Sequence, residues 1–379
     1  MNYPLLPYSQ LVFDMLKTNP DVYTYRATTR ISKDDIECER FKNAIVTALR
    51  NHPVFQTVVD EQGLQHYDEH IDPLHGQYHS LQFREDETYL YIDSVSNRIL
   101  GDAVSGQVFL EDIVRAYEGK PLAEDHYYAY LAQVEADKRS ERYAADKQWL
   151  EQHFGTITCP VHPKTDVPLH DLEHATEGVQ VADYTDLHEA LNRLADEQLV
   201  SLNALFSLAS ALAIMDYNGT NEAALTWAYD GRETEDEQRI CDSLHRDVPF
   251  KISRLSGTEA RNQASRDELL RETRRAMREG IRHSRYPLTL TAPHTEIWNY
   301  ALNVLVQPTP EATAAMLPFP IEVLPADEQS NNANALLDVE IYEGAALTIA
   351  YRYSATHYKE ESIRRFAGLV RKYTEWLTA

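Results

Sequence analysis

Residues 201–217, SLNALFSLASALAIMDY, are apolar on most faces of a helix, and such a helix is stable only when other elements cover it. Asn218-Gly219 ends the run, and AALTWAYDGRE follows as a buried strand, so this part of the chain folds around an enclosed helix with a sheet beside it. No stretch reaches the roughly 18 consecutive apolar residues that a membrane span needs. The 379 residues, 43% hydrophobic and 25% charged, have a globular composition and a length that suits two domains or lobes. A formal charge of -24 repels phosphate backbones and anionic lipid surfaces, which argues against nucleic-acid and membrane partners.

Cys38, Cys159 and Cys241 are far apart and form no CxxC pair, so neither a disulfide framework nor a zinc knuckle is expected. The reading is a reducing, cytoplasmic compartment. MNYPLLPYSQLVFDML has no basic stretch followed by an apolar one, so it is not read as a signal peptide. With that compartment, Asn218-Gly219-Thr220 is read as a turn and not as a glycosylation site.

Along the chain, Ser32 with Asp35 fits a capping box, and Phe41, Ile45 and Leu49 recur at spacing four, which predicts a helix ending near Asn51-His52-Pro53. FQTVVDEQGLQHY, with a turn at Gly63, and ETYLYIDSV read as strands. A helix is predicted from about Ser105 to Glu118, then a polar helical stretch through Trp149. Residues 156–185, rich in Pro, His and Asp, read as a connection between an N-terminal lobe, 1–155, and a C-terminal lobe, 186–379. In the second lobe DLHEALNRLADEQ is helical, and Ser265 with Glu268 caps a helix reaching Gly280. IWNYALNVLVQ, ALLDVEIYEG and ALTIAYRYS are strands, and Ile363, Phe366, Val370, Tyr373 and Leu377 mark a closing amphipathic helix. The fold class is α+β, with strands and packed helices in each half.

Taken in order, YPLLPYSQ, LRNHPVFQT, NRILGDA, DKQW, AYDGRE, RICDSLHRDVPF, HSRYPLTL and LTIAYRYSATHYKEESIRRF resemble the motifs of condensation domains of nonribosomal peptide synthetases, in the chloramphenicol acetyltransferase-like superfamily. The resemblance covers nearly the whole chain, and both ends fall at the family's domain edges. It implies two chloramphenicol acetyltransferase-like lobes forming a V with a central tunnel. Peptidyl or acyl carrier proteins from flanking synthetase modules would reach into it with phosphopantetheine arms, which serve as substrate tethers. No cofactor is implied for the domain itself.

In this alignment NRILGDA stands at the family's His-His-x-x-x-Asp-Gly motif. Asn97 and Arg98 replace the two histidines, Asp102 keeps the aspartate, and Ala103 replaces the glycine. The second histidine of the family positions or deprotonates the attacking amine. Arg98 has only donors and a pKa above about 12, so it cannot accept that proton. The resemblance also implies a salt bridge from Asp102 to Arg232, holding the loop across the two lobes.

Three functions follow for comparison. In the first, the domain is impaired in amide-bond formation and serves as a carrier-binding or recruitment platform. The domain of glycopeptide synthetases that recruits a tailoring oxygenase resembles this loop in carrying arginine at the second histidine position. In the second, it is an active acyltransferase forming an amide from a carrier-bound thioester by positioning and electrostatics, with Arg98 or a backbone amide on the oxyanion and His245 as the nearby base. The third is a heterocyclisation variant, approached by Asn97, Asp102 and Ser105.

His66, His70, His75 and His79, interspersed with Asp68, Glu69 and Asp72, form the densest ligand-type cluster, but it spans a Pro73 turn and reads as a solvated loop, so no metal is expected. Arg271, Arg274, Arg275, Arg278 and Arg282 lie along one helix face and are candidates for docking an acidic carrier. The plainer reading of that face is a solvated one paired with Asp267, Glu268, Glu272 and Glu279.

Overall fold

The computed structural model describes residues 2–170, 172, 175–253, 263–291, 295–324 and 335–379. In chain order the elements begin with β1 (Tyr3–Pro4), α1 (Pro7–Leu16), β2 (Thr24–Ser32), α2 (Cys38–Asn51), β3 (Thr57–Val59), β4 (Leu64–Tyr67), β5 (His79–Glu85) and β6 (Tyr89–Asn97). They continue with α3 (Ala103–Tyr117), α4 (Tyr127–Asp137), α5 (Glu141–Phe154), β7 (Glu177–Asp183), α6 (Thr185–Gln198), α7 (Leu202–Asn218), β8 (Glu222–Tyr229) and β9 (Arg246–Ser253). The last are α8 (Gln263–His283), α9 (Thr295–Trp298), β10 (Asn303–Gln307), α10 (Pro310–Ala314), β11 (Glu322–Leu324), β12 (Leu337–Glu343), β13 (Leu347–Ser354) and α11 (Glu360–Thr378).

The described residues gather into two compact units. One takes residues from 1–138, 230–245 and 308–331, the other from 139–229, 246–307 and 332–379. The expected lobes, 1–155 and 186–379, were contiguous; these units are interleaved. In the first unit, β2 pairs antiparallel with β6 from Thr24 opposite Asn97 to Ser32 opposite Tyr89, within the order β11-β2-β6-β5. The apolar face of α2 closes this sheet, with Phe41, Ile45 and Leu49 buried beside Ile31, Leu90 and Ile113. Residues 230–245 return to this unit because Ile240, Cys241 and Leu244 are buried with Leu6, Val54, Tyr127 and Leu131.

The second unit holds a six-stranded sheet in the order β7-β13-β12-β10-β8-β9. β10 runs parallel to both neighbours, and the remaining pairs are antiparallel, so the sheet is mixed. α7 is buried from Leu202 to Met215, as its composition requires. Ser201 caps its start by accepting from Ala204 N, and Gly219 ends it in the left-handed region at φ 69°. α11 buries Ile363, Phe366, Val370, Tyr373 and Leu377 in the same core. Among the described residues no single helix is long and apolar enough to cross a membrane.

Several local expectations are corrected. α2 starts at Cys38 with Glu37 at its cap, while Ser32 ends β2 and its hydroxyl accepts from Asp34 N at 3.2 Å, so the Ser32 box is a turn. Ser265 lies inside α8, which already runs from Gln263. IWNYALNVLVQ is not one strand: Thr295–Trp298 is helical, and pairing begins at Asn303. The stretch 156–185 contains an edge strand, β7, whose partner β13 lies far along the chain and leaves no local signal. Within that stretch residues 171, 173 and 174 lie outside the described residues.

Candidate active site

The loop between β6 and α3 belongs to the first unit, as do all the residues that meet it below. β6 ends at Asn97, whose side chain reaches across to the start of the neighbouring strand β2. Its Nδ2 donates to Val22 O at 2.8 Å and Thr24 Oγ1 at 3.0 Å, and its Oδ1 accepts from Ile99 N at 3.0 Å. Every polar atom of this buried amide is engaged in holding a short 3₁₀ turn, Arg98–Leu100. A cavity of about 580 Å³ borders Asn97, between Phe13, Leu16, Thr24, Tyr78 and Val95.

α3 starts two residues earlier than expected because Asp102 is its N-cap. Asp102 Oδ1 accepts from Ser105 N at 2.9 Å, and Asp102 N donates to Ser105 Oγ at 3.0 Å, a reciprocal capping box. Ala103 is the exposed first residue of that helix and makes no part of the box. Gly101 is required by proximity: a Cβ there would sit 2.7 Å from Ser105 Cβ and 2.8 Å from its Oγ.

Arg232 grips the same aspartate. Its Nη1 donates to Asp102 Oδ2 at 3.0 Å and to Asp230 Oδ1 at 2.6 Å. Its Nη2 lies 3.1 Å from Asp102 Oδ1, 2.7 Å from Asp242 O and 3.2 Å from both Ile240 O and Ser105 Oγ. Asp102 Oδ2 also accepts from Leu244 N at 3.0 Å and His245 N at 3.2 Å. Burial pushes the Asp102 carboxyl up, but the Arg232 charge and its hydrogen bonds outweigh this and hold it below the usual carboxylate range. Asp102 and Arg232 lie in the same compact unit, whereas the expected lobes put them in different halves. The reason is the apolar anchoring of 240–244 described above.

Arg98 has different company. Its guanidinium lies over the Tyr8 ring at 5.5 Å and the Tyr23 ring at 5.7 Å, and Tyr25 is near enough to favour its charge. Its backbone N donates to Tyr23 O at 3.0 Å. The three tyrosines hold its pKa well above the ordinary arginine value against the opposing effect of burial, Tyr8 contributing most. No carboxylate among the described residues pairs with it.

His245 packs edge-on against Tyr8, ring centroids 4.2 Å apart, and Ser243 Oγ is 2.8 Å from its Nδ1. Tyr8 therefore touches both Arg98 and His245. Beside them Asp242 is buried, and burial pushes its carboxyl up to about 7 although Tyr127 and Ser243 N stabilise the charge. A second buried network lies next to it: His52 Nδ1 is 2.8 Å from Asp125 Oδ2, and Nε2 is in ionic contact with Asp112 Oδ2 at 3.2 Å. Burial lowers the His52 pKa, but the two carboxylates raise it by more.

The remaining candidates are scattered. Arg271, Arg275, Arg278 and Arg282 are exposed on α8 in the second unit, while Arg274 is half-buried and donates to Gln198 O at 3.2 Å. Arg271 pairs with Glu268 at 2.5 Å and Arg282 with Glu279 at 3.2 Å. His79 is buried with Nε2 2.8 Å from Pro73 O, whereas His75 Nδ1 is 3.0 Å from Ser80 Oγ. Among the described residues no three His, Cys, Asp or Glu side chains are grouped to hold a metal ion. Tyr8, Tyr23, Tyr25, Asp242 and Ser243 were not singled out from the sequence. The signals available were Tyr8 inside YPLLPYSQ and the two tyrosines of YTYRAT, two residues apart at the start of a strand.

The family model for the condensation domain matches residues 76–379. The chain belongs to the condensation-domain family. Bacitracin synthase 1 of Bacillus licheniformis is 24% identical over 245 residues, which is 54% of this chain, and the chain spans only 4% of that protein. Among solved structures, the condensation domain from Monacolin K polyketide synthase MokA matches 100% of this chain and 97% of its own, with TM-score 0.76 and 13% identity. The X-domain from teicoplanin biosynthesis matches 99% and 94%, with TM-score 0.74 and 14% identity. The epimerization domain from the third module of tyrocidine synthetase B matches 100% and 97%, with TM-score 0.73 and 16% identity. The mixed sheets and packed helices of this condensation domain follow the fold of these structures.

Proposed function

We propose that this condensation-type domain is impaired in amide-bond formation and acts as a platform that binds carrier proteins or recruits another enzyme. The reading is carried by Arg98. It stands where the family has its working histidine, it has no lone pair to accept the amine proton, and its tyrosine neighbours hold its charge more firmly still. Asn97 supplies no substitute, since both of its polar groups are engaged within the fold. The Asp102–Arg232 contact is maintained, which fits a loop kept for its shape. Carrier proteins with phosphopantetheine arms are the proposed partners, and the exposed arginines of α8 their docking face.

One observation favours a second reading, in which acyl transfer proceeds by positioning with His245 as base. His245 is oriented through Nδ1 by Ser243 and lies against Tyr8, which also touches Arg98. The heterocyclisation reading is weakened because the Ser105 hydroxyl serves the helix cap and the Arg232 cluster.

The deciding experiment supplies a loaded donor carrier and a free acceptor amine to the chain and measures amide product by mass spectrometry. The platform reading expects carrier binding with product at background. Product above background that disappears in Arg98→Ala overturns it.

A further inference from the structure

Arg98 and Arg232 are buried to different degrees in the same unit and are compensated in opposite ways. Arg232 has two carboxylates, Asp102 and Asp230, and further acceptors for its terminal N–H groups. That is how a fold neutralises a structural arginine. Arg98 is half-buried in a chain with 60 acidic residues, yet none of the described ones is placed against it. The Tyr8 and Tyr23 rings, 6.4 Å apart, lie side by side against it, and Tyr25 is close enough to favour its charge. Aromatic rings attract a guanidinium without neutralising it, and its N–H fork is made for a planar or tetrahedral oxyanion.

The backbone adds a second observation. Tyr23 adopts φ 53°, in the left-handed region that a bulky aromatic residue rarely enters. The turn that imposes this conformation also sets the Tyr23 ring over Arg98 and its carbonyl on Arg98 N. Strain of this kind collects at ligand clamps. Tyr25, half exposed, leaves the cage open on one side.

We propose that Arg98, with Tyr8, Tyr23 and Tyr25, forms a receptor for a small oxyanion, either a carboxylate or a phosphoryl group. The guanidinium supplies the charge and the paired donors, Tyr25 a further hydroxyl, and the Tyr8 and Tyr23 rings flank the guanidinium on one side. His245, a further group able to carry positive charge, packs against Tyr8 with ring centroids 4.2 Å apart. This assignment rests on the reading that Arg98 has left proton transfer. It is tested without carrier or amine, so its failure is separate from the detection of amide formation.

The full chain is titrated at constant ionic strength with inorganic phosphate and, separately, with acetate, following tyrosine fluorescence and the Arg98 Nε–H resonance. Saturable binding of at least one anion is expected, with the tighter of the two identifying a phosphoryl or a carboxylate source. Arg98→Gln weakens it about tenfold or more, and Arg98→Lys, which keeps the charge and loses the fork, by about threefold. Should Arg98→Gln fail to fold, Tyr25→Ala at the exposed wall of the cage is expected to weaken binding by about threefold. No saturable response to either anion, or affinity unchanged in Arg98→Gln or Tyr25→Ala, overturns the proposal.

Discussion

Arg232 holds Asp102 with both ends of its fork, Nη1 to Oδ2 at 3.0 Å and Nη2 to Oδ1 at 3.1 Å, across 130 residues of sequence. The Arg232 side chain is 0% exposed and that of Asp102 is 7% exposed, so removing either one leaves the other charge stranded. Arg232→Met is expected to cost about 3–5 kcal/mol of unfolding free energy in urea titration. Asp102→Ala should cost more, because it also removes the cap of α3. A loss below about 1 kcal/mol for Arg232→Met would show that the pair is not a stabilising contact of the loop.

Gly101 is held small by Ser105. Gly101→Ala puts a methyl group about a full ångström inside normal contact with the Ser105 side chain and displaces it from Asp102. A destabilisation of about 1–3 kcal/mol is expected. Gly106, where a Cβ meets nothing within 4 Å, is the control, and Gly106→Ala should be neutral or stabilising.

Stability should fall as pH rises from about 4 to about 7 because of Asp242. Its folded pKa is raised to about 7 from an ordinary value of 3.8, so the folded state holds a proton that the unfolded state releases earlier, and ionisation in the folded state is the costly step. His52 acts in the same direction at higher pH. Its raised pKa stabilises the fold fully below about 6.5, and that contribution is lost as pH rises through the folded value. Melting temperatures measured across pH 4–8 should decline less steeply in Asp242→Asn than in the parent chain. Parallel profiles would show that Asp242 does not titrate in this window.

The α8 face is tested by charge reversal. Arg275 and Arg278 are exposed and form no ion pair among the described residues. The double variant Arg275→Glu, Arg278→Glu should weaken carrier binding about tenfold, with a larger effect at low salt, and leave stability within about 0.5 kcal/mol. Unchanged affinity in surface plasmon resonance would mean that the solvated-face reading is the right one.

Much of the fold was legible where one physical signal dominates. α7 has too little polar surface to face water, and α11 has a single apolar stripe, so both could be read directly. Legibility failed where a capping pattern occurs outside a helix, as at Ser32, or inside one, as at Ser265. A box of four residues is compatible with a turn as well as a cap, and tertiary packing chooses between them. β7 was missed because an edge strand depends on a partner far away in sequence and needs no pattern of its own.

By itself the sequence determined the order of motifs, hence the family, and the chemical identity of the loop: an arginine that cannot accept a proton and an aspartate able to cap a helix. Tertiary structure decided what each of these charges meets. Packing of Ile240, Cys241 and Leu244 brings Arg232 onto Asp102, and the turn at Tyr23 together with α1 brings three tyrosines onto Arg98. Side-chain chemistry is a local property, whereas compensation of a buried charge is settled only by which distant segments share its core.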